Sequence, residues 1–376
     1  MTIKYLYLLI LIIVFGCKDE IVLNNKNFEP RMVVDGIITD ESRPYIIKLM
    51  LTSPTNKSKE IPYSGCTITL IDNTGNSEIL TEIKPGTYST SESGIQGIIG
   101  KSYRITISTS DGREYATEFQ EMKESVEIDS VHAELIKKES LDYVYGLPGY
   151  QFYVDTKTAS NKENYFLWRM IETFEYSADY PLYAVIDKYG RFLIVGLDTC
   201  DLFYDFYWCW KTQTVGYLFT GKTSNLTIPQ INKQELMFVG TDSRKLQKRY
   251  SLLLKQYSIG EEAYYFWKGI EEQTSQENFL VSNQPYNIVG NIKNVNNSDE
   301  AVYGYFTVAS ESQKRIFLDR PNNAFYYNIC FVDYEPPYRS KYLVISEEGR
   351  LGAVDEGCLD CTTRGGETIK PDFWID

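Results

Sequence analysis

The chain has 376 residues, with 51 acidic against 38 basic side chains and a single histidine, for a net charge of -13. That length is enough for more than one domain with its own core. The acidity opposes binding to nucleic-acid phosphates, and one histidine excludes sites built on histidine pairs.

At the start, Lys4 precedes an apolar run from Tyr5 to Phe15 that is too short for a lasting membrane span. Gly16 followed directly by Cys17 reads as a lipobox. Residues 1–16 are then a signal peptide, and Cys17 carries the lipid. Two or three acyl chains, at about 0.8 kcal/mol per buried CH2, hold a protein stably where one chain binds marginally. Cleavage removes Lys4 and moves the net charge from -13 to -14. Residues 17–27 follow as a lipidated tether. Within it Lys18, Asp19 and Glu20 resemble the export signal of surface-exposed lipoproteins in Bacteroidota, which implies an outer-membrane protein facing the medium. No later apolar run reaches the roughly 18 residues of a spanning helix, so the lipid is the only membrane attachment expected.

Residues 28–124 read as strands throughout. "RMVVDGIIT", "YIIKLMLTSP", "CTITLID" and "KSYRITIS" are short apolar or alternating runs bounded by turn residues. Asp72-Asn73-Thr74-Gly75 supplies an ordinary turn, because its Gly and Glu spacing does not fit a calcium loop. Asp111-Gly112 marks a hairpin. Such spacing predicts a β-sandwich, and the strand order is similar to prealbumin-like or Ig-like sandwiches of bacterial surface proteins. Residues 125–376 form a second, larger β-rich domain. His132 lies on a strand and lacks the G-x-S-x-G elbow of a serine hydrolase. Asp129-Ser130-Val131 resembles a Bacteroidota O-glycosylation triplet, which makes Ser130 a candidate acceptor.

Around residue 205 the chain concentrates Phe203, Tyr204, Phe206, Tyr207, Trp208 and Trp210, either one side of a core hairpin or a contact patch. Asp198, Asp201 and Asp205 lie in the same stretch without a recognisable glycosidase setting. Ser258 and Glu261 have capping-box spacing, with Ser258 as N-cap. They open a helix near 259–274 whose apolar face is Ala263, Phe266, Trp267 and Ile270. The following segments "NQPYNIVGNIKNV", "AVYGYFTVAS" and "QKRIFL" are expected to complete the second domain as strands.

With Cys17 lipidated, Cys66, Cys200, Cys209, Cys330, Cys358 and Cys361 remain, and six cysteines allow 15 pairings. Exported cysteines favour disulfides. The candidates are Cys200, Cys209, Cys330, Cys358 and Cys361, with Cys358-x-x-Cys361 holding an ordered tail rather than forming half a metal site or a redox pair. No metal or cofactor is expected.

"RYSLLLKQYSIGEEAYYFW", "QPYNIVGNIKN", "VYGYFTVAS" with "KRIF", and "CLDCTTRGGETIKPDFW" together resemble a Bacteroidota outer-membrane lipoprotein family of unknown function. Its members are typically encoded beside TonB-dependent receptors. The resemblance runs from the lipobox to Trp374. It implies an outer-membrane, receptor-associated role. With the lipid anchor, the surface tag, the sandwich and the Tyr and Trp content, the expectation is a non-enzymatic accessory or ligand-capturing partner of a TonB-dependent transporter, with a glycan or peptide as candidate ligand. The resemblance brings no catalytic residues. The alternatives are a structural or adhesive envelope subunit and a surface hydrolase.

Overall fold

The computed structural model describes residues 28–42, 44–54, 60–157, 163–186, 189–194, 206–223, 230–274, 288–322, 325, 330–334, 342–345 and 349–375. Cys17, Lys18, Asp19, Glu20, Cys200, Phe203 and Tyr204 lie outside them, as do Asp198, Asp201 and Asp205.

The fold is mainly β. In chain order the first strands are β1 (Met32–Ile38), β2 (Ile46–Leu51), β3 (Ile61–Pro62), β4 (Thr67–Asp72) and β5 (Ser77–Ile79). They continue with β6 (Thr81–Lys84), β7 (Thr87–Ser89), β8 (Ser102–Ser108), β9 (Glu114–Thr117) and β10 (Gln120–Glu121). Then come β11 (Ile128–Lys138), β12 (Leu147–Lys157), β13 (Tyr165–Ser177), β14 (Ala184–Ile186) and β15 (Phe192–Ile194). After β16 (Trp208–Thr214), β17 (Phe219–Lys222), β18 (Gln230–Gly240) and β19 (Arg249–Ile259) stands the α-helix α1 (Glu261–Thr274). The chain closes with β20 (Ile292–Asn294), β21 (Tyr303–Val308), β22 (Ser310–Asp319), β23 (Tyr342–Ile345) and β24 (Leu351–Ala353).

Two six-stranded sheets make the N-terminal sandwich, ordered β21-β1-β2-β7-β6 with β3 on β2, and β20-β9-β8-β4-β5 with β10 on β8. Alternation along β1 sends Met32, Val34 and Ile38 inward, and β8 sends Tyr103, Ile105 and Ile107 to meet them. The sandwich is not built from residues 28–124 alone. Strands β20 and β21, expected in the second domain, are hydrogen-bonded into it: β21 pairs parallel with β1, and β20 antiparallel with β9. Gly304 makes the first pairing possible. Its φ is +80°, and a Cβ there would stand 1.9 Å from the Val34 carbonyl oxygen.

A second sandwich packs the three-stranded sheet β11-β12-β18 on the five-stranded sheet β16-β13-β19-β22, with β17 also on β13. Phe166, Trp168, Met170, Tyr250, Leu252 and Leu254 fill its core. The buried amide of Gln256 is satisfied within that core. Its oxygen accepts from Trp168 Nε1 at 2.9 Å and Thr156 Oγ1 at 2.7 Å, while its nitrogen donates to the Val126 carbonyl at 2.6 Å. Beyond this body lies a small sheet, β15-β14-β23-β24.

Among the described residues two disulfides secure the C-terminal segment, Cys209–Cys361 and Cys330–Cys358. The Cys358-x-x-Cys361 pair is thus divided between two distant partners. Cys66 is free, buried in the core of the first sandwich, where burial pushes its thiol pKa up. Asp179 is enclosed beside the second disulfide and accepts from Arg244 and Arg364, both at 2.5 Å.

The helix lies where it was expected, but its start differs. Ser258 is the penultimate residue of β19, buried and paired with Phe166 and Ser310, so it does not cap α1. Gly260 precedes the helix, and its carbonyl accepts the Tyr264 N–H at 3.0 Å.

Candidate ligand groove between the helix and the first sandwich

Chain connectivity brings two sheet faces together. From β21 the chain passes through Ala309 into β22, leaving one sandwich and entering the other within a residue. The outward residues of β1 and β21 then face α1, while the same helix packs Ala263, Tyr264, Phe266 and Trp267 against Tyr165, Leu167, Tyr257 and Ile259 of β13 and β19. The apolar face read from the sequence is therefore a wedge between two bodies.

Along one side of this wedge runs a groove of about 610 Å³, within the usual range for small-ligand sites. Its floor is Val33 and Asp35 of β1 with Tyr303 and Tyr305 of β21. Its wall is Phe266, Trp267 and Ile270 of the helix. Phe266 packs tilted against Tyr305 at 4.7 Å between centroids, and Trp267 Nε1 donates to Thr307 Oγ1 at 3.2 Å. Both rings are thereby fixed in place. Arg169 of β13 reaches into the groove with its guanidinium 4.7 Å from the Trp267 ring centroid and 3.9 Å from Asp35 Oδ1. Burial raises the Tyr305 phenol far above its ordinary pKa, with the nearby charge of Glu262 acting the same way.

The sequence-derived candidates lie elsewhere. Ser130 donates its hydroxyl to Asp155 Oδ2 at 2.5 Å, so the candidate glycosylation hydroxyl is engaged. His132 stands beside this pair, its Nδ1 3.4 Å from both Ser130 Oγ and Asp155 Oδ2, and its ring stacks on Tyr153. Sequence reading missed this serine–histidine–aspartate cluster because Asp155 arrives from the neighbouring strand. Burial would raise the Asp155 pKa, but the Ser130 hydroxyl and the Lys233 N–H lower it on balance. The carboxylate binds the serine directly instead of standing behind the imidazole, which is not the order of a catalytic relay.

Of the aromatic stretch, Phe206, Tyr207, Trp208 and Trp210 are described. Tyr207 packs against the second core, Lys248 lies 4.4 Å over Trp208, and Trp210 forms a backbone bridge with Glu367 of the tail. At another place, the tip of the β11–β12 hairpin exposes Leu141, Val144 and Tyr145 almost completely. Among the described residues no group of three or more His, Cys, Asp or Glu is placed to hold a metal, and no helix is long and apolar enough to cross a membrane.

Sequence reasoning found the helix face but not the groove. Its floor joins residues about 270 positions apart, and no local pattern announces that.

Two β-sandwiches packed on one helical wedge define a disulfide-held, mainly β protein with an aromatic groove. A family model described as "Domain of unknown function (DUF4249)" matches residues 18–315, and the chain belongs to this family. The match ends within β22, before the C-terminal segment that carries Cys330, Cys358 and Cys361. No curated protein matches the chain.

Proposed function

We propose that the protein is a surface-exposed outer-membrane lipoprotein that captures a ligand in the groove, without catalysing a reaction, and acts as accessory partner of a TonB-dependent transporter. The observation carrying the capture reading is the groove itself, an open site whose aromatic walls are fixed by ring packing and hydrogen bonding. Anchoring rests on Gly16-Cys17 and the surface address on Lys18, Asp19 and Glu20. The transporter partnership rests on the family resemblance.

The test is affinity isolation of the tagged, lipidated protein from detergent-solubilised outer membranes. A TonB-dependent barrel at near-stoichiometric yield is expected, with membrane attachment lost in Cys17→Ala. Recovery of the protein alone would sink the partnership. The exposed Leu141, Val144 and Tyr145 favour a second reading, a structural or adhesive subunit. Co-isolation of other envelope lipoproteins without a barrel would support it.

A further inference from the structure

We infer that the groove takes an apolar ligand carrying one carboxylate, with Arg169 as its anchor; this rests on the ligand-capture reading above. The groove wall and floor are apolar over most of their extent: Val33, Phe266, Trp267, Ile270 and Ile288, with the faces of Tyr303 and Tyr305. Arg169 and Asp35 are the charged side chains lining it.

Arg169 is held but not satisfied. Its guanidinium lies over Trp267, which fixes the plane of the group while leaving its N–H edges free to donate. Among the described residues it makes no hydrogen bond. Its contact with Asp35 is at 3.9 Å, beyond hydrogen-bond reach, and the Asp35 side chain is 47% exposed. The Arg169 side chain is itself only 31% exposed. A planar donor fork, partly dehydrated and without a close acceptor, matches a carboxylate, which accepts two parallel N–H bonds. One guanidinium suits a monoanion better than a phosphate dianion, which gathers several cations. The apolar walls then cover a hydrocarbon or aromatic body attached to that carboxylate.

The ligand class is testable with three probes of equal chain length: octanoate, 1-octanol and octyltrimethylammonium. Isothermal titration of the full mature chain is expected to show octanoate binding about tenfold or more tightly than octanol, the effect of one charge-assisted pair. Arg169→Gln keeps a planar polar group over Trp267 and should bring octanoate and octanol within about twofold of each other. Arg169→Glu should reverse the preference and admit octyltrimethylammonium. Unchanged far-UV circular dichroism and thermal midpoint identify variants that retain the fold. Equal affinity of the wild type for octanoate and octanol would overturn the carboxylate assignment and leave the capture reading standing. Binding of none of the three would overturn the assignment too, and the membrane isolation experiment would decide the accessory role independently.

Discussion

Asp72 shows how one carboxylate organises a turn. It is 97% buried by area, being only 3% exposed, and accepts from the Thr74 N–H and hydroxyl, the Asn76 N–H and amide, and Lys101 Nζ at 3.2 Å. Burial alone would raise its pKa, but the Asn76 and Thr74 donors outweigh this and hold it well below the ordinary carboxylate range. A depressed native pKa adds stability that is fully present above the unfolded value of about 3.9 and is lost as pH falls toward the native one. Asp72→Ala is therefore expected to cost about 1–2 kcal/mol in urea unfolding at pH 7, by removing the buried acceptor on which the turn donors of Thr74, Asn76 and Lys101 converge. The gap from wild type should narrow when the same titration is run near pH 2.5; an undiminished gap would show that the charge is not what matters. This turn was legible because Asp, Asn, Thr and Gly in sequence bond locally. Arg169 was not. Its partners Trp267 and Asp35 lie on other elements, and an arginine within "NYFLWRMIETFEY" looks like any outward strand residue.

At the scale of elements, periodicity carried the reading and pairing decided its limits. The helix face was visible because Ala263, Phe266, Trp267 and Ile270 repeat at helical spacing. Its first residue was not, because Ser258 and Glu261 satisfy a capping pattern while β13 and β22 claim Ser258 from both sides. Strand pairing with two neighbours outweighs one side-chain cap. The cysteines behave similarly: their pairing depends on long-range contacts, and the C-terminal CxxC has no local reason to divide. Division has a measurable consequence. Cys209–Cys361 closes a span of 152 residues and Cys330–Cys358 one of 28. In the chain-entropy picture the longer loop contributes about 1.5 kcal/mol more stability. Paired replacement of Cys209 and Cys361 by Ser should lower the denaturation midpoint further than replacement of Cys330 and Cys358. The opposite order would mean that native contacts of the smaller loop, rather than chain entropy, govern the tail.

For the whole molecule, the governing fact is that a late segment completes an early domain. Alternating strands made the first sandwich recognisable from residues 28–124, yet β20 and β21 belong to it and were indistinguishable by composition from strands of the second body. Nothing in a strand's own sequence names its partner. Ile292, Val302, Phe306 and Val308 are all essentially inaccessible within the first core. Each fully buried side chain of this kind contributes about 1.5–3 kcal/mol, so together they supply roughly 6–12 kcal/mol as an upper bound. A typical domain has only about 5–15 kcal/mol of net stability. Glu300 strengthens the join, accepting from Arg113 at 3.2 Å and the Tyr115 hydroxyl at 2.8 Å. Residues 28–124 produced alone are thus expected to lack a cooperative thermal transition and to give a collapsed amide NMR spectrum, with β1 left as an open edge. Appending residues 288–309 after residue 124 through a flexible linker should restore both signals. If the short fragment folds cooperatively without them, β20 and β21 are additions to a complete sandwich. The groove floor, half of which is β21, would then be separable from the domain that carries it.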